Sequence, residues 1–284
     1  MTIQEANGLI IHQLKTIYEE SEAENISDLI IEYLTDTRRT DRIINKEKLI
    51  NARQESQLNQ YLLRLLQHEP IQYVLNEAWF RGLKFYVDKN VLIPRPETEE
   101  LVEWIISDCN FPVDKLSILD IGSGSGCIPI ALKKRLGKAD VWSCDINKKA
   151  LKIAYQNSTT LGINVKFIEL DFLKEEQRKK LPLFDIIVSN PPYIPEKDKE
   201  NMRLNVLHHE PATALFVPDN DALIFYKAIA DFGKTHLTKN GIIYTEINES
   251  FGEKTSAIFQ SNGYKTEIKK DMQGKERMIK AFIN

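Results

Sequence analysis

Over the first 69 positions apolar residues return every three or four places: Ile10, Leu14, Ile17 and Tyr18, then Leu29, Ile30, Tyr33 and Leu34, then Leu58, Leu62, Leu65 and Leu66. This spacing lays one apolar stripe along each of several helices, and such stripes bury against one another. The segment therefore predicts a small helical bundle. Ser27, ahead of Asp28 and Leu29, reads as the N-cap of one helix, and the polar stretch from Thr35 to Arg42 reads as a separator between two of them. No glycine-rich loop or acid/base cluster falls here, so the chemistry is expected elsewhere.

The pattern changes after Glu69-Pro70. Trp79, Phe80, Leu83, Phe85, Tyr86 and Val87 form one extended run and Val91, Leu92 and Ile93 another, with the polar Asp88-Lys89-Asn90 between them. That arrangement predicts a β-hairpin turning at 88–90. From Glu97 onward, helical segments alternate with compact apolar runs at 117–120, 140–145, 165–170, 184–189 and 241–247. The alternation predicts an α/β fold, a mainly parallel sheet with helices on both faces. The last two runs, 264–269 and 277–283, are joined by Asp271-Met272-Gln273-Gly274 with no room for a crossover helix, so they are expected to form a terminal antiparallel hairpin. Three parts follow: a helical domain at 1–72, a hairpin linker at 73–95 and a catalytic domain at 96–284.

Composition narrows the partners. The 284 residues carry a net charge of −3, which gives no bulk attraction to nucleic acid. No run approaches the ~18 apolar residues of a membrane span, and residues 1–5 carry no basic-then-apolar leader. A cytoplasmic protein acting as a monomer, with no membrane and no direct nucleic-acid partner, is the expectation. Cys109, Cys127 and Cys144 are odd in number and lack C-x-x-C spacing, so they read as small apolar fillers.

Chemistry concentrates at strand ends. Ile118-Leu119-Asp120-Ile121 runs into Gly122-Ser123-Gly124-Ser125-Gly126 and then a helical pattern through Ile128, Ala131 and Leu132. Ligands of doubly wound sheets bind at the carboxyl ends of strands, where glycines admit close approach of the backbone. A dinucleotide fingerprint needs G-x-G-x-x-G, but Cys127 stands at the third glycine's place, so the loop favours a nucleoside without a pyrophosphate. Asp145 ends the next strand, where a carboxylate can accept both ribose hydroxyls. Asp171 ends the one after, placed to accept from an adenine amino group, with Phe172 to pack on the base.

The run 184–189 ends in Asn190-Pro191-Pro192-Tyr193. An amide nitrogen is a poor nucleophile because its lone pair is delocalised, so a transferase acting on it must orient it by its two N–H donors. The Asn190 side-chain oxygen can accept one and the Pro191 carbonyl the other, the proline φ angles fixing that carbonyl, while Tyr193 packs on the planar group. Orientation then supplies much of the rate. His208-His209-Glu210 has no metal-ligand spacing, His12, His68 and His236 are isolated, and no metal is expected.

The residues around these motifs resemble a known family. Glu69-Pro70-Ile71-Gln72-Tyr73-Val74, Phe80-x-Gly82-Leu83-x-Phe85, Leu92-Ile93-Pro94-Arg95-Pro96-Glu97-Thr98-Glu99, Tyr193-Ile194-Pro195, Glu210-Pro211-x-x-Ala214-Leu215 and Asp271-x-x-Gly274-x-x-Arg277 are similar to the HemK/PrmC family of release-factor glutamine methyltransferases. The resemblance spans 69–284 and implies a Rossmann-like, class I methyltransferase with a seven-stranded sheet. It further implies S-adenosyl-L-methionine as cofactor and, as substrate, the glutamine of the Gly-Gly-Gln motif in class I peptide-chain release factors, gripped in part by the helical domain. The candidate cofactor site is then Asp120, Gly122, Ser123, Gly124, Ser125, Gly126, Asp145, Asp171, Phe172 and Asn190, and the catalytic and substrate site Asn190, Pro191, Pro192 and Tyr193. Phe172 stands where relatives often carry tryptophan. An N6-adenine DNA or RNA methyltransferase could use the same tetrapeptide but would want a basic groove. A nicotinamide-dependent oxidoreductase would want a third glycine at 127, and a non-catalytic adaptor would have no use for Asn190 to Tyr193.

Overall fold

Caps and apolar stripes set the helical part. In the computed structural model, which describes residues 1–37, 39–109 and 116–283, the chain begins with α1 (Ile3–Leu14), α2 (Glu20–Thr35), α3 (Arg39–Ile44), α4 (Ala52–Leu65) and α5 (Ile71–Leu75). Thr2 and Glu5 cap α1 reciprocally, and Asn51 and Gln54 do the same for α4, each pair satisfying backbone N–H groups that the first turn leaves open. Ala6, Ile10, Leu14, Ile30, Ile31, Leu58 and Leu65 are fully buried together. Residues 1–77 and 203–209 form one compact unit; Ala78–Met202 and the chain from Glu210 onward form the second.

Two sequence expectations fail in this unit. Ser27 caps nothing: α2 begins at Glu20, because Ala23 and Ile26 already belong to its buried stripe, and Ser27 sits inside the helix donating to Asn7 Oδ1 at 2.6 Å. That shift of the stripe also leaves Leu29 and Tyr33 about half exposed. The polar stretch 35–42 is not all separator. The left-handed Asp36 ends α2, but α3 starts within the stretch, while Arg38 lies outside the described residues.

In the second unit the hairpin pairs β1 (Ala78–Phe80) with β2 (Leu83–Phe85), turning at Arg81-Gly82 and not at 88–90. Both turn residues have positive φ, 51° and 69°, the geometry that matches the twist of a two-residue hairpin. Asp88 instead accepts the Asn90 N–H at 2.8 Å, a local turn leading into residues 91–95, and 91–93 form no strand.

Then follow α6 (Pro96–Asp108), β3 (Ser117–Ile121), α7 (Cys127–Leu136), β4 (Asp140–Asp145), α8 (Lys148–Leu161), β5 (Lys166–Glu169), α9 (Glu175–Arg178), β6 (Phe184–Ser189) and β7 (Ile194–Pro195). After α10 (Leu204–His209), which belongs to the helical unit, come α11 (Ala212–Leu215), β8 (Phe216–Val217), α12 (Ile224–His236), β9 (Leu237–Glu246), α13 (Gly252–Ser261), β10 (Lys265–Lys270) and β11 (Glu276–Phe282). The seven-stranded sheet has the order β10-β11-β9-β6-β3-β4-β5. β9, β6, β3, β4 and β5 pair in parallel, and β11 lies antiparallel to both neighbours, to β10 as the short 271–274 connection requires. Leu119, Ile187, Ile243, Tyr226 and Ile229 are fully buried in one core, each aliphatic side chain contributing about 1.5–3 kcal/mol. The chain goes β3, β4, β5 to one side and returns to place β6 on the other side of β3. That reversal opens a crevice at the carboxyl ends of β3 and β6.

Two features of the β3 end are structural. Gly126 has φ +82°, and a Cβ there would stand 3.0 Å from Ile130 Cδ1 and 3.1 Å from Ala154 Cβ, so the bare backbone lets the turn that caps α7 lie against Ala154 of α8. Asp120 is fully buried: Ser143 Oγ donates to its Oδ2 at 2.6 Å, Ser123 Oγ lies 2.5 Å from Ser143 Oγ, and Oδ1 has no hydrogen-bond partner among the described residues. Burial pushes its carboxyl up to about 8, against the pull of the Ser143 hydrogen bond and with a push from Asp145.

Gly126→Ala should lower stability by about 1–3 kcal/mol in urea unfolding, through overpacking and a strained φ; unchanged stability would show that the turn moves away from Ala154 at no cost. Asp120 carries a pH signature. Between its ordinary 3.8 and about 8 the folded state binds the proton that the unfolded state has released, so stability falls as pH rises through that window. Thermal midpoints should therefore drop more from pH 5 to pH 8 in the native protein than in Asp120→Asn, and parallel profiles would contradict the assignment.

Candidate active site

The crevice opens into a cavity of about 390 Å³ whose walls come from the carboxyl ends of β3, β4 and β6 and from segments 90–95 and 211–225. The glycine loop is tied down first. Gly122 and Ser123 both donate their N–H groups to Cys144 O, at 2.8 and 3.0 Å, and Gly126 N–H closes the turn on Ser123 O at 2.7 Å. Asp145 is fixed from the same side: Gly124 N–H donates to its Oδ2 at 3.0 Å and Asn147 N–H to its Oδ1 at 2.8 Å. Burial raises the Asp145 carboxyl, and the backbone donors of Asn147, Gly124 and Ile146 pull the other way. The Ser125 hydroxyl, on the wall and 2% exposed, has no hydrogen-bond partner among the described residues.

The next wall carries Asp171, Phe172 and Leu173. Asp171 Oδ1 accepts Leu173 N–H at 3.1 Å, and Gln177 Oε1 accepts Asp171 N–H at 2.9 Å, so the carboxylate is held as part of a turn. Phe172 packs edge-on against Phe232 at 5.2 Å, with the Arg178 guanidinium 5.7 Å from its ring centre and bonded to Phe172 O at 3.0 Å. This support holds an apolar ring at the wall.

Asn190, Pro191 and Pro192 complete the site from the end of β6, where Ser189 Oγ donates to Ile121 O at 2.7 Å and ties β6 to β3. Asn190 Nδ2 donates to Thr98 Oγ1 at 3.1 Å, Thr98 Oγ1 donates to Glu246 Oε2 at 2.7 Å, and Tyr193 OH donates to Glu246 Oε1 at 3.0 Å. Thr98 and Glu246 are 2% and 1% exposed. Burial raises the Glu246 carboxyl, while Thr98, Tyr193 and Arg277 draw it down; burial likewise pushes the Tyr193 hydroxyl far up. Beyond Tyr193, β7 pairs in parallel with β8, joining the tetrapeptide's exit to the segment whose Thr213, Ala214 and Phe216 also line the cavity. Arg95 lies on the rim with its guanidinium 2.5 Å from the buried Glu210 Oε1, and Glu210 Oε2 accepts Ile93 N–H at 3.3 Å.

Of the residues expected from sequence, Gly122, Ser123, Gly124, Ser125, Asp145, Asp171, Phe172, Asn190, Pro191 and Pro192 meet at this one cavity. Asp120, Gly126 and Tyr193 are not on its wall. Asp120 faces the buried serines, Gly126 serves helix packing, and Tyr193 is drawn away by Glu246. Sequence reasoning missed the roles of Thr98, Glu246, Arg95 and Glu210. Glu246 ends an apolar run as Asp145 and Asp171 do, a signal open to the same strand-end argument. Cys127 and Cys144 line the cavity, and burial pushes the Cys127 thiol up to about 12, far from a reactive thiolate. His209 Nε2 lies 3.0 Å from Gln67 O, and among the described residues no group of three or more His, Cys, Asp or Glu is placed to hold a metal.

Comparison with known proteins fits this geometry. Residues 9–75 match the PrmC N-terminal domain and residues 102–218 the methyltransferase small domain. The release factor glutamine methyltransferase of Flavobacterium psychrophilum is 42% identical over 99% of both chains, and that of Bacteroides thetaiotaomicron is 40% identical over 96% of this chain and 97% of its own. Among solved structures, a methyltransferase from Pyrococcus furiosus shares the fold with a TM-score of 0.51 at 16% identity, covering 79% of this chain and 98% of that one. With such identity sustained along nearly the full length of its relatives, the chain belongs to the release factor glutamine methyltransferase family.

Proposed function

We propose that the protein methylates the side-chain amide nitrogen of the glutamine in the Gly-Gly-Gln motif of class I peptide-chain release factors, with S-adenosyl-L-methionine as methyl donor. The observation that carries this reading is the Asn190 amide, whose Nδ2 is committed to Thr98, leaving Oδ1 as its acceptor for a ligand at the cavity wall.

The donor set fits such a cofactor. Asp145, steadied by two backbone N–H groups, retains lone pairs for a ribose diol. The unpartnered Ser125 hydroxyl, one residue before the Gly126 cap of α7, suits the polar end of an amino acid. Phe172 offers an apolar face for a base, and Asp171 an acceptor beside it. When bound, the cofactor supplies an electrophilic methyl group on a sulfonium.

The chain's own residues supply orientation. Asn190 Oδ1 and the Pro191 carbonyl are two acceptors suited to the two N–H groups of a primary amide, and Pro191 and Pro192 restrict the backbone that presents them. Strong base catalysis is not needed, since the amide proton becomes acidic once the nitrogen is alkylated and can leave to water. An adenine amino group could meet the same acceptors, but a net charge of −3 offers nucleic acid little attraction. The helical unit of residues 1–77 and 203–209, without chemistry of its own, is the part we assign to gripping the release factor. We place the reaction in the cytoplasm and the enzyme there as a monomer; among the described residues no helix is long and apolar enough to cross a membrane.

Incubation with labelled S-adenosylmethionine tests this directly. Label should pass to a class I release factor and not to one whose Gly-Gly-Gln glutamine is alanine, nor to duplex DNA. Asn190→Ala should lower the rate by about 10² or more while cofactor binding persists. Label on DNA, or on the alanine substrate, would overturn the reading.

A further inference from the structure

Asparagine can present either edge of its amide, and nothing in the residue itself chooses. Here the choice is made two hydrogen bonds away, at Glu246. Thr98, near the start of α6, is fixed there by a helix that begins with Pro96. Its hydroxyl has one proton, and that proton is donated to Glu246 Oε2 at 2.7 Å. As a carboxylate, Glu246 only accepts, so Thr98 has nothing but lone pairs left to offer Asn190. The Nδ2 edge can answer lone pairs, at the observed 3.1 Å, and the Oδ1 edge cannot. The flipped amide would set oxygen against oxygen beside the buried Thr98, an arrangement disfavoured roughly ten- to a hundredfold. The other oxygen of the same carboxylate accepts Tyr193 OH at 3.0 Å, so both ends of the Asn190–Tyr193 segment are referenced to one buried group at the carboxyl end of β9.

We infer that Thr98 and Glu246 are positioning residues: the relay Glu246–Thr98–Asn190 sets the polarity of the Asn190 amide and aims its Oδ1 into the cavity. This rests on the proposed role of Asn190 as acceptor of the substrate amide. Neither residue need touch the reacting atoms, and Glu246 is not on the cavity wall.

Thr98→Val keeps the shape and removes the hydroxyl. It should lower kcat by about 10- to 100-fold, with KM for the release factor and the Kd of S-adenosylhomocysteine unchanged within about twofold. Thr98→Ser should restore kcat, and Thr98→Val added to Asn190→Ala should cost nothing further, because the group being oriented is gone. A kcat within threefold of the native protein, no rescue by serine, or an equal loss in both backgrounds would overturn the inference. A second measurement is independent of activity. The side-chain NH₂ signals of Asn190, assigned by their loss in Asn190→Ala, should shift and exchange faster with solvent in Thr98→Val; unmoved signals would contradict the relay. If the native protein proves inert toward release factors while these signals move as expected, the proposed substrate fails and the orienting relay stands.

Discussion

The reversal of strand order beside β3 is the constraint on which the site depends. Because β4 and β5 extend the sheet one way and β6 and β9 the other, the loops leaving β3 and β6 diverge and leave a crevice between them. One loop brings the glycines and the other brings Asn190-Pro191-Pro192. Neither segment makes a site alone. The parallel pairing of Ile121 with Ser189, and the Ser189 hydroxyl on Ile121 O, fix their separation before any ligand arrives.

Hydrogen-bond accounting then decides what each group in the crevice can offer. Backbone donors hold Asp145, a turn holds Asp171, and a buried carboxylate at the end of β9 holds both Thr98 and Tyr193. Groups whose bonds are spent inward act as supports, and those with capacity left are the ones a ligand meets. Position completes the test: Asp120 keeps an unpartnered oxygen but, like Tyr193, lies off the cavity wall, whereas Ser125 and Asn190 are on it, and these are the two groups we propose a ligand meets. Arg95 and Glu210 do comparable work at the rim, where the buried Glu210 accepts from both Arg95 and the Ile93 backbone.

Much of this was legible in the residues. The central strands β3 and β6 carry largely apolar runs because both faces of the sheet are covered there, and several strand ends are marked by acids or by the tetrapeptide, so strand positions and most cavity residues could be read locally. The failures have physical causes. Ser27 has the chemistry of a cap but lies on a stripe already begun at Ala23, and burial against Asn7 overrides its capping preference. The polar run 88–90 looks like a hairpin turn, yet the turn follows the backbone at Arg81-Gly82, where positive φ rather than polarity decides. The partnership of Thr98 with Glu246 joins positions 148 residues apart, and no local pattern encodes such a pairing. Gly126 matched a ligand-binding spacing while serving the close approach of its turn to α8, since a small residue satisfies both demands alike.

The proposed chemistry turns on Asn190 presenting its oxygen, not its nitrogen, to a substrate amide. A crystal structure with S-adenosylhomocysteine and a peptide containing Gly-Gly-Gln tests it most directly. Asn190 Oδ1 should lie within about 2.7–3.2 Å of the glutamine side-chain nitrogen, with Nδ2 still on Thr98. A glutamine nitrogen bound elsewhere, or an Asn190 amide turned with Nδ2 toward the peptide, would contradict it.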